Sequence, residues 1–163
     1  MGPAHFGVAF AARPLAPKAP LWALLVAGEA LDLLCFGFIA AGIESMGVSQ
    51  TDLANGIQIL TAPSLAWSHG LFMSLVWSAL VAGIAFLALR DRRASATVGF
   101  VVFSHWLLDF LVHPRYLPLF FAGSPTLGLG LWGSGPGFIA AAILDIGLFI
   151  GGVIVYIFWR RRK

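Results

Sequence analysis

His105, Asp109 and His113 follow one another at intervals of four inside a stretch that is otherwise almost wholly apolar. On a helix that interval lines a single face. Neutral imidazole nitrogens beside a carboxylate oxygen are the donors that zinc and other divalent transition metals take, and the carboxylate supplies charge that offsets the cation. Glu29 and Asp32, three residues apart, interrupt a second apolar run, His69 opens a third, and Asp145 stands in a fourth. At membrane depth each such group costs about 2.5–3.5 kcal/mol, and the set would cost on the order of 10 kcal/mol or more if it faced lipid. These side chains must therefore face one another, water or an ion.

A metal held this way polarises a phosphoryl or acyl oxygen and acidifies water to a pKa of roughly 7, so metal-assisted hydrolysis is the first reading. Asp109 or Glu29 would then serve as general base, and a carboxylate could bridge two cations. A small transporter, permease or proton relay is the second reading, because intramembrane His/Asp chains also carry ions; it would require a homo-oligomer. Haem ligation by histidines on neighbouring helices is a third. Polar contacts that only fix helix packing are a fourth.

Such side chains need helices to position them. Of the 163 residues 60% are hydrophobic and 10% are charged, against roughly 25% charged in a soluble domain. Four apolar runs, 21–43, 67–89, 94–112 and 138–159, approach the roughly 20 residues that a crossing takes. Backbone groups in lipid must be bonded internally, so these are helices. The expected fold is all-α: one integral membrane domain over 1–163, a four-helix transmembrane bundle. Segments holding Arg13/Lys18, Arg90/Arg92/Arg93 and Arg160/Arg161/Arg162/Lys163 alternate with loops poor in Lys and Arg. That alternation places both termini in the cytoplasm, in a chain of the bacterial inner membrane type. The basic groups flank apolar runs, which suits membrane lipid as a partner and excludes nucleic acid.

Residues Pro3 to Ala12 are apolar enough for a short helix, which Pro14, Pro17 and Pro20 then break. A surface or re-entrant helix is expected there. A ten-residue helix is about 15 Å long, half the hydrocarbon thickness, so a re-entrant one would carry His5 to the depth of Asp32. Pro114 ends the third run directly after His113, which puts His113 at the outer rim and the centre toward the non-cytoplasmic half. Glu29 and Asp32 are expected on one face of the first helix. Asp145 is expected in a structural or supporting role, and Cys35 as a small packing residue. Glu44 and Asp52 are read as solvated loop charges, and the Gly-rich stretch 123–137 as an outer loop.

The order of these pieces resembles the YdjM-like membrane-bound metal-dependent hydrolases. They are Gly2-Pro3-Ala4-His5, Ala30-Leu31-Asp32, Trp67-Ser68-His69-Gly70, and Ser104-His105-Trp106-Leu107-Leu108-Asp109 with His113 after. A similar run marks helical domains of the zinc-dependent phospholipase C type. Leu31 stands where the family pattern has Pro. The resemblance implies a metal-dependent hydrolase acting on a lipid, phosphoester or other ester at the membrane. It implies His5, Asp32, His69, His105 and Asp109 as ligands. The donor types point to zinc, with manganese or iron as alternatives, and His113, Asp145, Ser68 and Ser104 are expected as supporting residues.

Overall fold

The computed structural model describes residues 2–47, 49–52, 57–60, 64–121, 123–133 and 135–162. Helix α1 (Pro3–Ala12) opens with Pro at its first position, where the missing N–H is no loss. Chain through the three prolines leads to α2 (Leu21–Gly28), which starts after an extended Pro20. Helix α2 stops at Glu29, and α3 (Ala30–Ala40) leaves at an angle of 54°. The expected unbroken helix over 21–43 is thus a bent pair. Glu29 sits at the break with φ −102° and ψ 6°, so it does not share a continuous helix face with Asp32. The end of α3 is sharp because Gly42 takes φ +71°. It lets Gly42 N–H donate to the Ile39 carbonyl (3.0 Å) and Ile43 N–H to that of Phe38 (2.8 Å).

Two long helices follow, α4 (Leu71–Leu89) and α5 (Arg92–Val112), joined by a turn with Arg90 in the left-handed region. Trp67, Ser68 and His69 lie in a turn ahead of α4, not in its first coils. Asp91 caps α5 by accepting the Ala94 N–H (2.8 Å), and Lys18 pairs with it at 3.0 Å. The last helix, α6 (Gly135–Arg161), begins inside the Gly-rich stretch expected to be loop. The helices α4, α5 and α6 are long and apolar enough to cross a membrane, and the bent pair makes up to four such elements.

The fold is mainly helical but not wholly so. Between α3 and α4 an antiparallel pair, β1 (Ser49–Asp52) and β2 (Ile57–Leu60), forms a small hairpin whose base is closed by the Ser45–Ser64 bridge. The run Ile57-Gln58-Ile59 carries the β-branched residues strands favour. The Asp52 side chain lies outside the described residues. A second pair, β3 (Leu117–Pro118) and β4 (Thr126–Leu127), follows α5.

Helix α5 is the central one, with 67% of its apolar window buried against 17% for α4 and 11% for α6. It packs on α4, α2 and α1, while α1 also packs on α6 and α2. Small residues permit these approaches, as in other membrane-type interfaces. A Cβ on Gly99 of α5 would stand 2.8 Å from Ala82 Cβ and from the Ser78 carbonyl of α4. Gly7 of α1 and Gly152 of α6 meet so closely that a Cβ on either would collide with the other helix's backbone. Asp145 of α6 accepts the Ala4 N–H at 2.8 Å. It thereby satisfies one of the open donors of α1, whose own N-cap offers none.

Candidate metal centre

The elements above bring five side chains from four places in the chain to one point. His5 comes from α1, Asp32 from α3, His69 from the turn before α4, and His105 and Asp109 from adjacent turns of α5. The donor atoms of His5, His105 and Asp109 lie within 4.8 Å of one another, and so do those of Asp32, His69 and His105. Nε2 of His69 stands 3.3 Å from Asp32 Oδ1 and 3.5 Å from Asp109 Oδ2. Nε2 of His105 stands 3.5 and 3.4 Å from the same two oxygens. The other Asp109 oxygen, Oδ1, faces His5 Nε2 at 3.5 Å and His113 Nε2 at 3.6 Å. The rings of His5 and His105 stack in parallel, 3.7 Å apart.

These separations discriminate between kinds of contact. Charge-assisted hydrogen bonds between nitrogen and oxygen run about 2.7–2.9 Å. Two donors held tetrahedrally, each about 2.0–2.1 Å from a shared cation, stand roughly 3.3–3.4 Å apart. The spacing therefore fits a ligand shell better than a set of direct bonds.

Protons on the rings sharpen the point. His105 Nδ1 lies 2.7 Å from the Gly28 carbonyl, which can only accept, so Nδ1 carries the proton. In the neutral ring Nε2 then has only a lone pair, and it faces two carboxylate oxygens. It is a buried nitrogen with no hydrogen-bond partner, as is Nε2 of His5. A divalent cation among these atoms would meet both lone pairs and oxygens. The side chains of His5, His69, His105 and Asp109 are 1–5% exposed, whereas that of Asp32 is 41% exposed. The centre accordingly opens to its surroundings beside Asp32.

The supporting residues divide. Tyr116 hydrogen-bonds Nδ1 of His113, which directs Nε2 toward Asp109. Burial lowers the pKa of His113 and, with the nearby Asp109 charge, pushes the Tyr116 phenol up to about 12. Backbone N–H groups of Leu129 and Gly130 bond the carbonyls of Phe110 and His113, fixing the end of α5 that carries His113. Trp106 Nε1–H donates to the His69 carbonyl at 2.8 Å and ties that turn to α5. Glu29 is within electrostatic reach of His105, Asp32 and Asp109, and its buried Oε1 has no hydrogen-bond partner. Ser104 points elsewhere, donating to the Val101 carbonyl of its own helix (2.7 Å). Asp145 serves the start of α1 rather than the donor set itself.

Glu44 overturns its reading as a solvated charge. It is buried at 5% exposure. Its Oε1 accepts the N–H groups of Trp67 (2.8 Å) and Ser68 (2.9 Å), and its Oε2 accepts the Ser68 hydroxyl (2.6 Å). That hydroxyl oxygen lies 2.8 Å from His69 Nδ1. The partner is 24 residues away across a loop, so no local spacing announces it. The one signal is a carboxylate at a sharp helix stop in a loop without Lys or Arg. Cys35, expected as a packing residue, is buried against Ser68 and Glu44.

Comparison with family models, with curated proteins and with solved structures finds no match. What this arrangement defines by itself is a mainly helical chain, with helices long and apolar enough to cross a membrane, around a buried His/Asp group able to hold a metal ion.

Proposed function

We propose that the chain is a membrane-embedded, metal-dependent hydrolase that cleaves a phosphoester or other ester presented at the membrane. The observation that carries the reading is His105. Its Nδ1 proton is committed to the Gly28 carbonyl, and its bare Nε2 faces Asp32 and Asp109 at 3.5 and 3.4 Å. Asp32, His69 and His105 would hold one divalent cation, zinc first and manganese or iron as alternatives. His5, His105 and Asp109 would form a second set of donors that overlaps the first at His105. When bound, the cation supplies Lewis-acid polarisation of the scissile group and a more acidic water.

The chain's own residues supply the rest. Burial of the histidines keeps bulk water from competing for their nitrogens. Asp32, at the open side, leaves room for substrate. Glu29, with a buried oxygen free to accept, is the candidate to take a proton from water at Oε1. The resemblance of the motif order to YdjM-like hydrolases and the basic clusters flanking the apolar runs support a bacterial inner membrane location, with lipid or lipid-like esters within reach.

The test starts from detergent-purified full-length protein free of affinity-tag metal. Elemental analysis should find stoichiometric transition metal in the wild type and little in His105→Ala. Glu29→Gln should keep the metal and lose most hydrolysis of aryl phosphate and carboxylate esters. A metal-free wild type after reconstitution would sink the proposal. A loaded protein inert toward both ester classes would remove the hydrolase part.

A relay is the second reading. The row from Asp32 through His69 or His105 to Asp109 and on to His113 runs in steps of 3.3–3.6 Å and reaches more exposed groups at both ends. Proton or ion flux into liposomes should then vanish in the His105→Ala/Asp109→Ala double variant; flux that persists rejects it.

A further inference from the structure

The turn before α4 holds a proton chain that the donor set alone does not explain. Ser68 has one hydroxyl proton. It is given to Glu44 Oε2 at 2.6 Å, an acceptor much stronger than the thiol of Cys35 nearby. The same oxygen lies 2.8 Å from His69 Nδ1. With its own proton spent, it can only accept there, so His69 must donate from Nδ1. In the neutral ring that a metal binds, Nε2 then carries no proton, and it is the atom that faces Asp32 and Asp109 at 3.3 and 3.5 Å.

We infer that Glu44 is a positioning residue for this centre: acting through Ser68, it fixes His69 as the Nδ1–H tautomer and keeps Nε2 bare for a divalent cation. The cation belongs to the metal reading above; the tautomer rests on hydrogen-bond geometry alone. Glu44 is suited to the task because its position is over-determined. Two backbone N–H groups hold Oε1, and the Ser45–Ser64 bridge closes the chain directly after it, with bonds of 3.3 and 2.9 Å. Carboxylates that orient a histidine from behind typically alter metal affinity about 10–100-fold when removed.

Glu44→Gln tests this almost isosterically. The two backbone donors need an oxygen, so the amide oxygen stays at the Oε1 position and the NH2 group faces Ser68. That group donates to the Ser68 oxygen, whose own proton must turn to His69 Nδ1. His69 is driven to the Nε2–H form, and the metal-facing lone pair is capped.

The experiment has two arms on the full-length protein in detergent. Nitrogen NMR of the metal-free protein with labelled histidine reads the tautomer, with the His69 signal identified by its loss in His69→Gln. Wild type should give Nδ1–H and Glu44→Gln should give Nε2–H. Wild type in the Nε2–H form overturns the inference. The second arm titrates zinc alone against a chelator. Glu44→Gln and Ser68→Ala should each weaken zinc about 10–100-fold, and the double variant should be no worse than Ser68→Ala. Additive losses would mean that Glu44 acts through the fold and not through Ser68, and would also overturn it. If the wild type binds no zinc, the metal reading fails while the NMR arm still decides the tautomer.

Discussion

Gly28 shows how tightly single residues are constrained around the centre. Its carbonyl accepts the His105 Nδ1 proton, and a Cβ at its position would stand 3.0 Å from the His5 carbonyl oxygen. Replacing it with Ala pulls in two directions. Ala is favoured over Gly in a helix by about 0.8–1.0 kcal/mol, but the new methyl must displace α1 by a few tenths of an ångström. Gly28→Ala should therefore leave the melting temperature nearly unchanged while weakening zinc severalfold, read by chelator competition. Unchanged zinc affinity would mean that His5 is not among the donors that matter. At this scale the sequence was informative where spacing could speak. His105 and Asp109 are one turn apart, and the cost of burying Asp32 and His69 in apolar runs required partners for them. It named no partner for Glu44, because a loop carboxylate finds its partner through the fold, not through periodicity.

Among the elements, the junction of α4 and α5 is held by a cap with a testable charge. The Ala94 N–H, and after it Lys18, hold the Asp91 carboxyl below its usual pKa. A carboxylate whose pKa falls on folding adds stability above its unfolded value of about 3.9 and loses it as pH drops through the folded value. Asp91→Asn keeps the cap oxygen but not the charge. The melting-temperature gap between wild type and variant should be open at neutral pH, shrink below about pH 4, and narrow in high salt as Lys18 is screened. A gap independent of pH would assign the effect to cap geometry alone. Most of the elements were readable from composition and punctuation: α1 ends at its proline cluster, and α5 ends at Pro114. The break at Glu29 was not, because neither Gly28 nor Glu29 stops a helix by itself. The bend arises where the Gly28 carbonyl is turned to His105. The hairpins are not legible in the sequence, because strands of two to four residues leave no long apolar run.

For the molecule as a whole, the bent pair α2/α3 decides topology. If it passes through the membrane as one broken crossing, it brings the total to four, and the two termini lie on the same side. If it turns back, the total is three and they lie on opposite sides. The flanking basic clusters favour four. Protease protection of epitope tags at the N- and C-termini, measured in intact spheroplasts, should find both shielded; exposure of one alone would mean three crossings.

The contact between α1 and α6 carries a consequence in time. His5 is made well before α6, the helix that its own helix leans on through Gly7, Gly152 and Asp145. At about 5–20 residues per second, ribosomal elongation separates the two by on the order of ten seconds. Through that interval α1 has α2 and α5 to pack on, but not α6. A chain stalled before α6 would hold His5 by the α2 and α5 contacts alone, without the Asp145 carboxylate that accepts the Ala4 N–H.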